Sequence, residues 1–235
     1  MTAIALPVMK TFARSDELVA QLAKRICQQL QDSVDQRGSA SLFVSGGSTP
    51  LPLFQAMSKI GIDWQEVCIS LVDERWVGPE HADSNERLVR EHLLQNRAAG
   101  AKFVGLVTMH ATPEEGVAMA TDRLSHFPRP YDVVILGMGG DGHTASLFPC
   151  CEQLEEGFNT EATLLATHPT KAPHGRISLS LKAILNARQI YLHIGGVGKK
   201  EVLDAALAGT DAKELPIRAV LAQSQTPIDV YWSEA

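Results

Sequence analysis

Apolar residues in this chain recur in two registers. Short runs such as Ser41-Leu42-Phe43-Val44, Val67-Cys68-Ile69-Ser70-Leu71-Val72, Tyr131-Asp132-Val133-Val134-Ile135-Leu136 and Ile190-Tyr191-Leu192-His193-Ile194 read as buried strands. Between them the spacing turns helical. Leu18, Leu22, Ile26 and Leu30 lie one turn apart in a segment that Gly38 ends. Ser15 is placed to cap that helix, with Asp16 and Glu17 in its first turn as the dipole favours. A second helix follows Ser45-Gly46-Gly47-Ser48-Thr49-Pro50 and carries Leu53, Phe54 and Met57. Asp83 and Ser84 open a third, to about Leu94. Thr112-Pro113-Glu114-Glu115 is a capping box that starts a fourth, to about His126. Thr163 to His168 is strand-like, and Ile177 to Leu181 alternates as a strand before a helix to about Ala187. A helix after Gly195-Gly196-Val197-Gly198-Lys199 runs to Gly209, and Asp229-Val230-Tyr231-Trp232 is a last strand. Alternating strands and helices predict one α/β domain over residues 1–235. Its mainly parallel, Rossmann-like sheet is flanked by helices, with room for a small subsidiary lobe.

Composition narrows the class. With 235 residues, 45% of them hydrophobic, the chain has ample material for a core. No run of about 18 apolar residues is present, so no membrane span is expected. The first residues, Met1 to Pro7, lack the basic-then-apolar pattern of a secretory signal. Cys27, Cys68, Cys150 and Cys151 form no C-x-x-C pair and read as reduced thiols of a cytoplasmic protein. The net charge of −6, with no basic block, argues against a nucleic-acid partner. An anionic ligand would therefore be held by local cations and backbone amides, against the global field.

The strongest chemical signal is Gly137-Met138-Gly139-Gly140-Asp141-Gly142-His143-Thr144, directly after the Tyr131 strand. Such a loop bares backbone N–H groups and admits a ligand close to the main chain. Its literal dinucleotide spacing lacks the context. Pro149 comes too soon for a crossover helix, and the next strand-like run ends without a ribose-binding carboxylate. A P-loop would need lysine where His143 stands. His143 is instead a candidate general base, since imidazole titrates near pH 6.5. Asp141 lies two residues before it. The other histidines have no such surroundings and none forms a metal-spacing pair, so no metal or cofactor is expected.

Three further clusters sit where strands should end on the same edge of the sheet. Gly46, Gly47, Ser48 and Thr49 make a phosphate seat at a helix start, although Ser48 or Thr49 could merely cap that helix. Asp73-Glu74-Arg75 is either a solvated turn with a local ion pair or a working group, with Arg75 polarising an oxygen and Asp73 positioning or deprotonating. Lys199 and Lys200 begin a helix where the dipole disfavours cations, which fits an anion beside them. Lys171 and Arg176 flank a basic loop and are further candidates for a phosphate.

Taken in order, Ser45 to Pro50, Asp73-Glu74-Arg75-Trp76-Val77, Asp83-Ser84-Asn85, Gly137 to Pro149, and Lys171-Ala172-Pro173 with Arg176-Ile177-Ser178-Leu179 resemble the 6-phosphogluconolactonase family along nearly the whole chain. One departure is Val77-Gly78-Pro79, where that family often has proline straight after valine. The resemblance implies hydrolysis of a phosphorylated sugar lactone, 6-phospho-D-glucono-1,5-lactone, without metal or cofactor. On that reading Gly46, Gly47, Ser48 and Thr49 hold the phosphate with Lys199 and Arg176 or Lys171. His143 activates water, Arg75 stabilises the oxyanion, and Asp73 or Asp141 orients the imidazole. The alternative within the same fold is a glucosamine-6-phosphate deaminase/isomerase. Those proteins typically continue from the histidine to Phe-Asn-Glu-Pro and have tyrosine after Asp-Glu. This chain has Ser146-Leu147-Phe148-Pro149 and Arg75. A sugar-phosphate-binding module without chemistry is the alternative from another class, which His143 and Arg75 argue against. Monomer and homodimer are both open.

Overall fold

The computed structural model describes residues 7–234, so the reading of residues 1–6 lies outside it. A seven-stranded sheet runs β1 (Val8–Phe12), β10 (Ile228–Ser233), β9 (Ile190–Gly195), β6 (Val133–Leu136), β2 (Ala40–Val44), β3 (Val67–Leu71) and β5 (Lys102–Phe103). All of its pairings are parallel. The fold is α/β, as the strand–helix alternation predicts. β2 and β6 are buried along their whole length, which is why they read as continuous apolar runs rather than alternating ones.

The helices are α1 (Ser15–Arg37), α2 (Leu51–Met57), α3 (Asn85–His92), α4 (Pro113–Arg123), α5 (Leu154–Asn159), α6 (Leu181–Leu185), α7 (Val197–Ala208) and α8 (Ile217–Leu221). Leu18, Leu22, Ile26 and Leu30 form the buried stripe of α1, and the Gly38 N–H closes it on Val34. Ser15 does not cap that helix. Arg14 is the N-cap, and the Asp16 carboxylate takes the Glu17 N–H and a guanidinium N–H of Arg14. Ser84 and Thr112 do cap α3 and α4, each accepting from the third residue on. None of the described helices is long and apolar enough to cross a membrane.

A second, three-stranded antiparallel sheet orders β4 (Asp73–Arg75), β8 (Arg176–Leu179) and β7 (Leu164–Thr167). This is the small addition to the parallel layer. Asp73-Glu74-Arg75 is therefore a strand paired with Arg176-Ile177-Ser178, and not a solvated turn with a local ion pair. Edge strands β1 and β5 and the short helices α5 and α8 carry no apolar period long enough to announce them in the sequence.

The chain leaves β2 for β3 and β5 on one side, then returns to β6 on the other side of β2. Strand order reverses at the β2/β6 junction, so the loops at the carboxyl ends of those two strands open a crevice. Ser45 ties them together there. Its N–H and hydroxyl both donate to the Ile135 carbonyl, at 3.1 and 3.0 Å, and its hydroxyl accepts the Gly137 N–H at 3.1 Å.

Candidate active site

The crevice is a cleft of about 320 Å³ lined by the 45–50 loop, Asp73, Arg75, Asn85, the 137–139 turn, His143, Arg176, His193, Gly195 and Lys199, among others. Nine of the sequence candidates, Gly46, Gly47, Ser48, Thr49, Asp73, Arg75, His143, Arg176 and Lys199, line it. Asp141 stands behind His143 rather than in the wall. Lys171 is exposed and outside the lining, so it is not among the residues brought together. The basic loop carries Lys171 away from the cleft, and only its end, Arg176, is drawn in by pairing with β4.

The 45–50 loop is free to bind. α2 is preceded by Pro50 as N-cap with no side-chain cap bond, so neither Ser48 nor Thr49 spends its hydroxyl on the helix. Both are exposed. Gly46 is required by close approach, since a Cβ there would lie 1.8 Å from Asn85 Oδ1. Asn85 in turn donates from Nδ2 to the Asp73 carbonyl at 2.9 Å, so this one buried amide wedges the loop against β4. Sequence alone does not mark Asn85 as a site residue. Its signal was the Asp83-Ser84-Asn85 string, which reads equally well as a helix cap.

Glu74 explains how β4 and α3 meet. It is fully buried and accepts from the backbone N–H of Arg75, Asn85 and Glu86 and from the Ser84 hydroxyl, at 2.7–3.1 Å. Burial nevertheless pushes its carboxyl up to about 7, against those donors. Around this anchor Asp73 and Arg75 face the cleft. Asp73 Oδ2 accepts the Ser146 hydroxyl at 2.5 Å and lies 3.8 Å from the Arg176 guanidinium. Arg75 Nη1 donates to the Asp83 carbonyl at 2.6 Å, while its buried Nε has no partner among the described residues.

Of the two carboxylates expected to orient the imidazole, Asp141 is the one hydrogen-bonded to it. His143 Nδ1 lies 2.6 Å from Asp141 Oδ1, which also accepts the His143 backbone N–H at 3.2 Å. Asp73 is committed to Ser146 and Arg176. With Nδ1 held by the carboxylate, Nε2 has no hydrogen-bond partner among the described residues. Gly139 makes room, since a Cβ there would sit 2.0 Å from His143 Nδ1. Phe148 stacks on the imidazole with centroids 3.9 Å apart, and the Arg176 guanidinium lies 5.1 Å from the same phenyl centroid. Burial lowers the His143 pKa below its ordinary value, with Asp141 opposing, so the ring is neutral at pH 7. Burial also lowers the Lys199 pKa, against the attraction of Asp141.

Tertiary contact also produces a cluster that sequence spacing conceals. His81, Asp83 and His174 bring one donor atom each within 4.8 Å of one another, with His174 Nε2 2.9 Å from Asp83 Oδ2. Two imidazoles and a carboxylate are donors that suit a zinc-class ion. The expectation concerned spacing along the chain, and this cluster unites residues up to 93 positions apart in sequence. It adjoins Arg75 through Asp83 but includes neither Asp73 nor His143.

Residues 13–232 match the family model described as glucosamine-6-phosphate isomerases/6-phosphogluconolactonase. A 6-phosphogluconolactonase of Rhizobium meliloti is 41% identical over 227 residues, 96% of this chain and 98% of that protein. One from Pseudomonas putida is 41% identical over 94% of this chain and 90% of its own length. Among solved structures, a 6-phosphogluconolactonase from Shewanella baltica superposes with a TM-score of 0.96 at 59% identity, covering 98% of this chain and 99% of its own.

Proposed function

The chain belongs to the glucosamine-6-phosphate isomerase/6-phosphogluconolactonase family, and on that premise we propose that His143 is the general base in its hydrolysis of 6-phospho-D-glucono-1,5-lactone to 6-phosphogluconate, a step of the oxidative pentose phosphate pathway. The observation that carries this assignment is the 2.6 Å His143–Asp141 pair set in a cleft with Arg75 and the 45–49 loop.

The phosphate sits on the amides and hydroxyls of Gly46, Gly47, Ser48 and Thr49, with Lys199 and Arg176 supplying positive charge. This end of the substrate does not react, so its binding energy orients the ring. His143 Nε2 takes a proton from water as the water oxygen bonds to C1. The carbonyl electrons move to oxygen, and the Arg75 guanidinium stabilises that oxyanion. Collapse restores the carbonyl and breaks the C1–ring oxygen bond, and the imidazolium returns its proton to the leaving ring oxygen. Asp141 fixes the tautomer and balances the transient imidazolium. Asp73 holds Arg176 and Ser146 in place. No group is oxidised or reduced, and no covalent intermediate is needed.

Phe148 favours the lactonase over deamination. The ring that stacks on His143 occupies the stretch where deaminases typically carry a glutamate, and it offers no carboxylate. The four free cysteines support a reducing, cytoplasmic setting. Mixing the protein with freshly generated phospholactone, and separately with glucosamine 6-phosphate, tests the reading. Acid release well above the spontaneous rate, with no ammonia, is expected. The opposite pattern would replace the lactonase with the deaminase.

A further inference from the structure

Among the described residues, buried side-chain atoms without a partner include Arg75 Nε, Arg176 Nε and His193 Nδ1, and all three residues line the cleft. The two arginines each make other hydrogen bonds through their guanidinium groups. His193 is different. It sits on β9, its backbone paired with Tyr231 of β10, and is 5% exposed. An apolar side chain would fill this place without burying a polar nitrogen, so a histidine here costs stability unless something bonds to it. Burial also drives its pKa down to about 4, so it is a neutral ring at physiological pH, with one N–H to give.

A second observation says what it would meet. β9 leads through Gly195 into α7, whose N-cap, Gly196, has no side chain to satisfy the first-turn amides. That turn contains no acidic residue and does contain Lys199. Gly195 and Lys199 line the same cleft as His193. An uncapped helix start with a lysine in its first turn favours an anion.

We propose that His193 binds the substrate's phosphate group, donating a ring N–H to a phosphate oxygen held also by the first turn of α7. This rests on the lactonase reading above. It adds a neutral, buried donor that selects for the phosphorylated end.

The test compares 6-phosphogluconolactone with unphosphorylated glucono-1,5-lactone in wild type, His193→Phe and His193→Gln. His193→Phe should raise KM for the phosphorylated lactone about 10–100-fold with little change in kcat, the loss expected for a hydrogen bond to a charged group. Its kcat/KM for the unphosphorylated lactone should stay near wild type. His193→Gln keeps an N–H and should recover much of the loss. Equal losses on both lactones, or an unmoved KM, would overturn the proposal. Should His193→Phe misfold, wild-type protein labelled with ¹⁵N-histidine still decides. The His193 ring signals should move on titration with inorganic phosphate and with 6-phosphogluconate, and not with gluconate. Unmoved signals with phosphate would sink the idea. An inactive wild type would instead overturn the lactonase reading while leaving the phosphate titration intact.

Discussion

His143, the proposed general base, has three close neighbours: a carboxylate on one nitrogen, a phenyl ring on its face and a glycine that leaves it room. Burial holds its pKa below 6.5, so the base is unprotonated at neutral pH and becomes protonated as pH falls through that lowered value. kcat should therefore decline on an acid limb below pH 6.5. His143→Ala should lower kcat about 10²–10⁴-fold, with KM nearly unchanged and the limb lost. A variant that retained both kcat and the limb would transfer the chemistry to Asp73. In Asp141→Asn the larger of the influences that raise the imidazole pKa is removed, while the charge of Asp73 stays. Its acid limb should shift to lower pH than in wild type even as kcat drops, and a limb moving the other way would contradict the pairing. The substrate phosphate has its second ionisation near pH 6, so both profiles must be read in kcat rather than KM.

At the scale of elements, the cleft is assembled by short bonds between loops that follow different strands. Ser45 couples the β2 and β6 loops, and Asn85 couples the β2 loop to β4. Gly46→Ala would push a methyl group into Asn85, whose amide is buried and engaged, so the 46–49 loop must shift. KM should rise about 10-fold or more, the loss of one charge-assisted phosphate bond. Asn85→Ala should partly relieve that clash. A double-mutant cycle on kcat/KM should then show coupling of about 0.5–3 kcal/mol between the two positions. Additive effects would mean that Asn85 does not position the loop.

For the whole molecule, the buried Asp132 network and the proposed chemistry lie at opposite ends of the sheet. Asp132 lies just before β6, at the amino end of the parallel strands, and its side chain is 1% exposed. It accepts from Ser33, the Ser41 backbone and hydroxyl and the Arg37 guanidinium, with Arg188 3.4 Å away, joining α1, β2 and β6. Asp132→Ala leaves arginines and buried donors unpaired. It should cost about 1–3 kcal/mol in urea unfolding, the penalty for leaving the buried Ser33 and Ser41 donors unpaired, while the folded enzyme keeps its kcat. Loss of kcat at full folding would show that the two ends are coupled. Exhaustive EDTA should likewise leave kcat unchanged. A metal held by His81, Asp83 and His174 would touch neither Asp73 nor His143, and zinc-restored turnover would require a metal in the mechanism.

The sequence alone determined whatever depends on neighbours along the chain. The apolar runs of β2, β3, β6 and β9 and the stripe of α1 announce a parallel α/β layer, because burial on both faces leaves no polar alternation. The glycines around His143 and the Asp141 two residues before it mark one turn as the strongest chemical signal, with Asp141 and Asp73 both open as the carboxylate that orients the imidazole. Tertiary structure decided whatever depends on residues distant in sequence. Asp73 and Arg176 meet only because β4 and β8 pair antiparallel. That pairing also left Lys171 outside and turned Glu74 into a buried anchor. His193 looks like an ordinary strand residue until β9 is flanked by β6 and β10 and its ring, with Nδ1 left unpartnered, lines the cleft. His174 and Asp83, 91 residues apart, meet at 2.9 Å. Local pattern encodes which face of an element is buried. What lies against that face is set by the whole fold's packing, which no single segment specifies.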